Sequence, residues 1–130
     1  MLPDIQSPTD TQIFVNGFYT RIRADELLGP VFALRVPDDG WQLHLEKMYA
    51  FWNSILFNEQ SYHGRPFPKH LQLPVSEEHF KRWVNLFHAT VDENFAGENA
   101  DDVKRRAESI ALMFHAKIER FRNPDNLSIT

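Results

Sequence analysis

Apolar residues recur at helical spacing in every long segment of this chain, and no segment alternates as a half-buried strand must. The clearest run lies near the C-terminus, where Val103, Ala107, Ile110/Ala111, Phe114, Ile118 and Phe121 keep a 3.6-residue period. Phe80, Trp83/Val84, Phe87, Val91 and Phe95 form a second stripe. Trp41, Leu45, Met48, Trp52 and Ile55 form a third, overlapped by His44, Met48, Phe51 and Ile55. Ile13/Phe14, Phe18 and Ile22 form a fourth. A 3.6-residue stripe cannot bury one face of a sheet, whose side chains alternate, so the chain is expected to be all-α.

Stop and start signals delimit these helices. Ser7 is placed to cap the first, with Pro8 in its first turn and acidic Asp10 behind it, and the helix should end near Arg23. Leu28-Gly29-Pro30 breaks the pattern before a short piece beginning at Val31, and Pro37-Asp38-Asp39-Gly40 is a turn cluster. The second long helix is expected from Trp41 to Phe57. The third begins near Ser76, with Glu77 and Glu78 where the helix dipole favours negative charge. A break at Gly97-Glu98-Asn99 precedes the fourth, expected from about Asp101 to Phe121. With 130 residues the chain is read as one domain, its core spanning about 9–122 and a polar tail covering 123–130.

The chain has no cysteine, which excludes thiolate nucleophiles, disulfides and zinc–thiolate sites. Its net charge is −4, and the one dense basic run, Lys104-Arg105-Arg106, is flanked by Asp101, Asp102 and Glu108. Such a run reads as a solvated helix face, so no nucleic-acid partner is expected. The N-terminus lacks a signal peptide's pattern and no apolar run is long enough to span a bilayer, so a cytoplasmic protein with no membrane partner is expected. There is no GxGxxG, no phosphate-binding GxxxxGK loop, no HExxH and no Glu-x-x-His pair.

What remains is histidines and aromatic donors on apolar faces. His44, one turn before Met48, reads by default as a hydrogen-bonded, partly buried histidine. Trp83 reads as a core tryptophan, Tyr19 as a core-edge tyrosine, and His63, His79, His88 and His115 as surface or boundary residues. His70 is sharper. It stands in PFPKHLQLP, a short turn between prolines that would hold one side chain in a fixed direction. A single imidazole held that way suits an axial ligand to haem iron, leaving the opposite face open, although from the residues alone a structural histidine is the default reading.

Phe18-Tyr19, Leu28-Gly29-Pro30-Val31-Phe32, Trp41-x-x-His44, Phe51-Trp52, Pro68-Lys69-His70-Leu71 and Phe80-x-x-Trp83-x-x-Leu86-Phe87 stand in order along the chain. Together, over about Phe14 to Phe121, they resemble the truncated haemoglobins, specifically their third group. The absence of any Gly-Gly pair agrees with that group. The resemblance implies a globin-like two-over-two helical sandwich around haem b. It implies His70 as the proximal iron ligand and Tyr19, His44 and Trp83 as the distal residues facing bound ligand. It also implies Phe32 packed on the haem. Pocket walls are assigned by position to Met48, Phe51, Phe57, Phe80 and Phe87, and propionate partners to Arg65 and Lys69.

The implied function is binding of O2, NO, CO or similar small ligands, serving O2/NO or peroxide-linked redox chemistry rather than bulk oxygen transport. Nitric-oxide dioxygenation or a peroxidase-like activity would need an external reductant, and with no room here for a flavin domain, a separate reductase partner. A monomer or weak dimer is expected. The competing reading is a haem-free all-α interaction domain whose aromatics are all core.

Overall fold

The computed structural model describes residues 1–58 and 74–122. Five α-helices appear among them: α1 (Pro8–Ala24), α2 (Gly29–Ala33), α3 (Trp41–Phe57), α4 (Glu77–Asn94) and α5 (Glu98–Arg122), with a 3-10 turn at Asp38–Gly40 before α3. No strand occurs among the described residues. The all-α expectation is met, and α3 has the expected limits.

The long helices pack as two pairs, α1 with α3 and α4 with α5, and the pairs are joined where α1 meets α4. This is the two-over-two sandwich. Its centre is aromatic. Phe14 and Phe18 of α1 meet Phe87 of α4 edge-on, with ring centroids 5.9 and 5.1 Å apart. Trp52 of α3 closes the cluster, 6.0 Å from Phe14 and 5.1 Å from Phe87. Edge-to-face rings add contact energy beyond the area they bury. Close approach of α1 and α4 depends on Gly17, where a Cβ would stand 3.1 Å from the Thr90 methyl. Beside it, the Arg21 guanidinium donates to Thr90 Oγ1 at 2.8 Å and pairs with Glu93. Within the α1 stripe only Phe14 is buried at the Ile13/Phe14 step, and Ile13 faces solvent.

Helix ends differ from the simplest reading in instructive ways. Ser7 occupies the α1 cap position but makes no side-chain capping bond; Asp10 instead accepts from the Gln6 N–H at 2.8 Å. At α4 the Ser76 N–H donates to His79 Nδ1 at 3.1 Å, a histidine version of the reciprocal capping box. α3 ends on Asn58 in the left-handed conformation, φ 54°, which asparagine tolerates.

The largest departure is at α5, which begins three residues earlier than expected, at Glu98. Gly97 sits at the cap position and has no side chain to offer. Asp4 fills that role from the far end of the chain. Its carboxylate accepts from the Asn99 N–H at 3.0 Å and the Ala100 N–H at 2.9 Å, the donors a local cap would satisfy. Ala96 N–H donates to the Pro3 carbonyl at 2.9 Å, and Ile5 beside Asp4 is fully buried. The N-terminal strap therefore belongs to the packed structure, ahead of the first residue of the expected core.

The basic run on α5 is matched by acids, as expected. Lys104 lies 2.6 Å from Asp92 of α4, and Arg105 and Arg106 lie 3.4 and 3.3 Å from Asp102. No helix among the described residues is long and apolar enough to cross a membrane.

Candidate functional site

Between the two helix pairs lies a cavity of about 220 Å³. One wall comes from α1, α2 and α3: Tyr19, Leu28, Val31, Phe32, His44, Met48, Phe51 and Trp52 line it. The opposite wall comes from α4, its approach and α5: Val75, His79, Phe80, Trp83, Ile110, Ala111, Met113, Phe114 and Ile118. Nearly all of this surface is apolar. Among these residues, hydrogen-bonding side chains are limited to Tyr19, His44, Trp83, His79 and Trp52.

The first three of these were the expected distal residues, and they belong to one connected aromatic cluster. Tyr19 and His44 meet edge to face with ring centroids 4.9 Å apart. Phe18 bridges Tyr19 to Trp83, at 5.0 Å from the former and 5.4 Å from the latter. Trp83 is backed by Phe87, stacked at 5.8 Å. Trp41 leans edge-on against His44 at 5.4 Å and carries the Arg23 guanidinium 4.6 Å above its own ring. Burial pushes the Tyr19 phenol's pKa well above its ordinary value, because the phenolate would lose its hydration. Tyr19 therefore keeps its proton at any physiological pH and remains a hydrogen-bond donor.

Phe32, Met48, Phe51 and Phe80 line the cavity as expected. Phe57 and Phe87 are not among its lining residues. Phe87 lies behind Trp83 and Trp52, 1% exposed, at the centre of the aromatic core. Phe57 stands six residues after Phe51, about 240° further round α3, and packs against the core. His70, Arg65 and Lys69 lie outside the described residues, as does the Pro66–Leu73 part of the stretch that framed His70.

Several lining residues were not singled out. Trp52, Ile110, Ala111, Phe114 and Ile118 stand in the apolar stripes without being assigned to a pocket wall. His79 had been left as a boundary residue. Its Nδ1 accepts from the Ser76 N–H, which in the neutral ring places the proton on Nε2. It also sits one turn before Trp83, on the same face of α4. That i, i+4 relation to Trp83 was the available signal. His115, another boundary residue, stacks on Phe80 at 5.2 Å.

Helices packed as two pairs around an apolar cavity, with a few polar side chains on its wall, are the architecture of the globin class. The bacterial-like globin family profile matches residues 7–118. Over 107 residues the chain is 34% identical to the group 3 truncated hemoglobin ctb of Campylobacter jejuni, covering 80% of this chain and 84% of that protein. The crystal structure of the group III truncated hemoglobin from Campylobacter jejuni superposes with a TM-score of 0.83 at 30% identity, covering 91% of this chain and 95% of the other. The chain belongs to the bacterial-like globins, as a truncated haemoglobin of group III type. Globins are haem-binding proteins that take small gaseous ligands such as O2, and membership places this chain in that functional class.

The described residues fit a haem. A broad, largely apolar cavity walled by aromatic and branched side chains suits a flat macrocycle. The polar cluster of Tyr19, His44 and Trp83 suits a small polar ligand beside it.

Proposed function

We propose that this chain is a single-domain haem b protein that binds O2, NO or related diatomic ligands and serves O2/NO or peroxide-linked redox chemistry. His70 is its axial ligand, assigned from its place between prolines and from family resemblance. The haem supplies the iron at which the ligand binds; the chain's own residues decide how tightly it is held. The observation that supports this reading is a largely apolar cavity wall on which Tyr19, His44 and Trp83 stand in one aromatic cluster. A core built only for packing has no use for such a gap.

Tyr19 donates through its hydroxyl and stays protonated because it is buried. Trp83 can only donate, through its indole N–H. Negative charge developing on a bound ligand is stabilised by such donors, and each bond contributes about 1 kcal/mol or more in a dry pocket. Two bonds slow ligand release on the order of tenfold or beyond. Slow release favours chemistry on the held ligand over shuttling it along a gradient. His44, wedged between Tyr19 and Trp41, is the gate residue in this reading. The reducing electrons come from a separate reductase.

The test is direct. Purified protein supplemented with haem should show a Soret band, and the reduced form a five-coordinate histidine signature. His70→Gly should abolish that signature and added imidazole should restore it. A colourless, haem-free preparation would falsify the reading in favour of a packing or interaction domain. Consumption of NO by the oxygenated form, with and without a reductase, separates an enzyme from a carrier.

A further inference from the structure

Asp25, just past the end of α1, has a side chain only 8% exposed and satisfies donors from two directions. Its Oδ2 accepts from the backbone N–H groups of Leu27 and Leu28, both at 3.0 Å. Its Oδ1 accepts from the Arg82 guanidinium of α4 at 2.8 Å. The first pair shapes the turn into α2, where the Leu28 carbonyl receives the Phe32 N–H at 3.0 Å. Leu28, Val31 and Phe32 then line the cavity. On the other side, Arg82 immediately precedes Trp83.

A turn needs only the two backbone bonds. The third bond, across to α4, adds something that turn formation does not require. Trp83 is otherwise held by the rings of Phe18 and Phe87. Ring contacts favour a mutual tilt but fix distance and direction less sharply than a charge-assisted hydrogen bond does. A charge-assisted hydrogen bond to a carboxylate already fixed by two N–H donors sets both distance and direction. Further along α4, Arg21 grips Thr90 and Glu93, so α1 and its outgoing turn clamp α4 at two levels. Trp83 stands beside the first of these.

We propose that Asp25, acting through Arg82, is the positioning residue that sets the placement of the Trp83 indole relative to Tyr19. It thereby sets the hydrogen bonding that a diatomic ligand receives. This rests on the ligand-binding reading above. Asp25 touches neither ligand nor haem; it fixes the helix that carries the donor.

The experiment uses haem-loaded protein with CO and O2 as probes. Asp25→Asn retains an oxygen for the Leu27 and Leu28 N–H groups but turns an amide toward Arg82. Arg82→Gln breaks the same link from the partly exposed side, where folding is least at risk. Both variants should move the CO stretching band in the direction of weaker hydrogen bonding. Both should speed O2 release on the order of threefold to tenfold, the range expected for one weakened bond. The double variant should match either single one, and Arg82→Lys should stay near wild type. In a Trp83→Phe background, Asp25→Asn should add nothing. Unmoved CO bands in folded, haem-loaded variants overturn the proposal alone. So does a full Asp25→Asn effect that persists without Trp83. If the wild-type chain takes up no haem, the ligand-binding reading fails and this proposal fails with it.

Discussion

Tyr19 shows how burial makes a residue chemically single-minded. At 6% exposure, among Phe18, Phe32, Trp41 and His44, its phenol cannot ionise at ordinary pH and can serve a ligand only by donating or accepting a hydrogen bond. Tyr19→Phe keeps the ring and its packing while removing the hydroxyl. Stopped-flow measurement should find O2 release faster by about fivefold to tenfold, the worth of about 1 kcal/mol, with haem uptake unchanged. Asp4 is the opposite case, a carboxylate kept charged. Burial acts to raise its pKa, but the hydrogen bonds from Asn99, Ala100 and Ile5 outweigh this and hold it below the usual carboxylate range. A depressed folded-state pKa means the added stability is present above the unfolded value of about 3.9 and fades as pH falls through the lower folded value. Asp4→Ala should therefore cost about 1 kcal/mol near neutral pH, the usual worth of a helix cap. Urea unfolding should show the gap between variant and wild type narrowing below about pH 4, and a gap that widens there would contradict the capping role.

The α4–α5 junction is the element that depends most on a single residue. Gly97 has φ 139°, and a Cβ there would lie 2.5 Å from the Asp4 carboxyl carbon. Gly97→Ala meets both a disfavoured backbone conformation and the strap that caps α5. The expected cost is about 1–3 kcal/mol, read by thermal or denaturant unfolding. If Asp4→Ala relieves part of that loss, the collision is with the strap rather than with the backbone alone. The junction also marks where sequence reading stops working. Helix existence, type and most limits follow from a 3.6-residue period and from Pro8, Pro30 and Gly97, because those signals are local. The α5 start was misplaced because its cap, Asp4, lies 95 residues from Asn99 in the chain. Asp25 likewise carries a local turn pattern, but its bond to Arg82 spans 57 residues. Periodicity also identifies an apolar face without saying whether protein or empty space lies opposite. For that reason the stripes alone do not separate Phe87, at the centre of the core, from Ile110, Ala111 and Phe114, which line the cavity. Tyr19, His44 and Trp83 were legible only as an ordered set, since each alone reads as ordinary core.

At the scale of the molecule, the cavity is a stability deficit that a cofactor would repair. Among the described residues its apolar lining faces open space rather than packed side chains, whereas interiors are otherwise close-packed. A haem bound to the native state alone would stabilise the fold by mass action, about 4 kcal/mol at a thousand times its dissociation constant. For a chain of this length that corresponds to a rise in Tm of roughly 10–20 °C. Ala111 offers a way to separate the protein's need for filling from its need for haem. It is 5% exposed and faces the cavity from α5, so Ala111→Trp places an indole where the macrocycle would lie. Filling empty apolar space should leave the haem-free chain as stable as wild type or more so. The same indole should block cofactor entry, so added haem should raise the variant's Tm by only a small fraction of the wild-type increment. A large haem-dependent increment surviving in Ala111→Trp would place the cofactor away from α5, and the two-walled cavity would no longer account for the site.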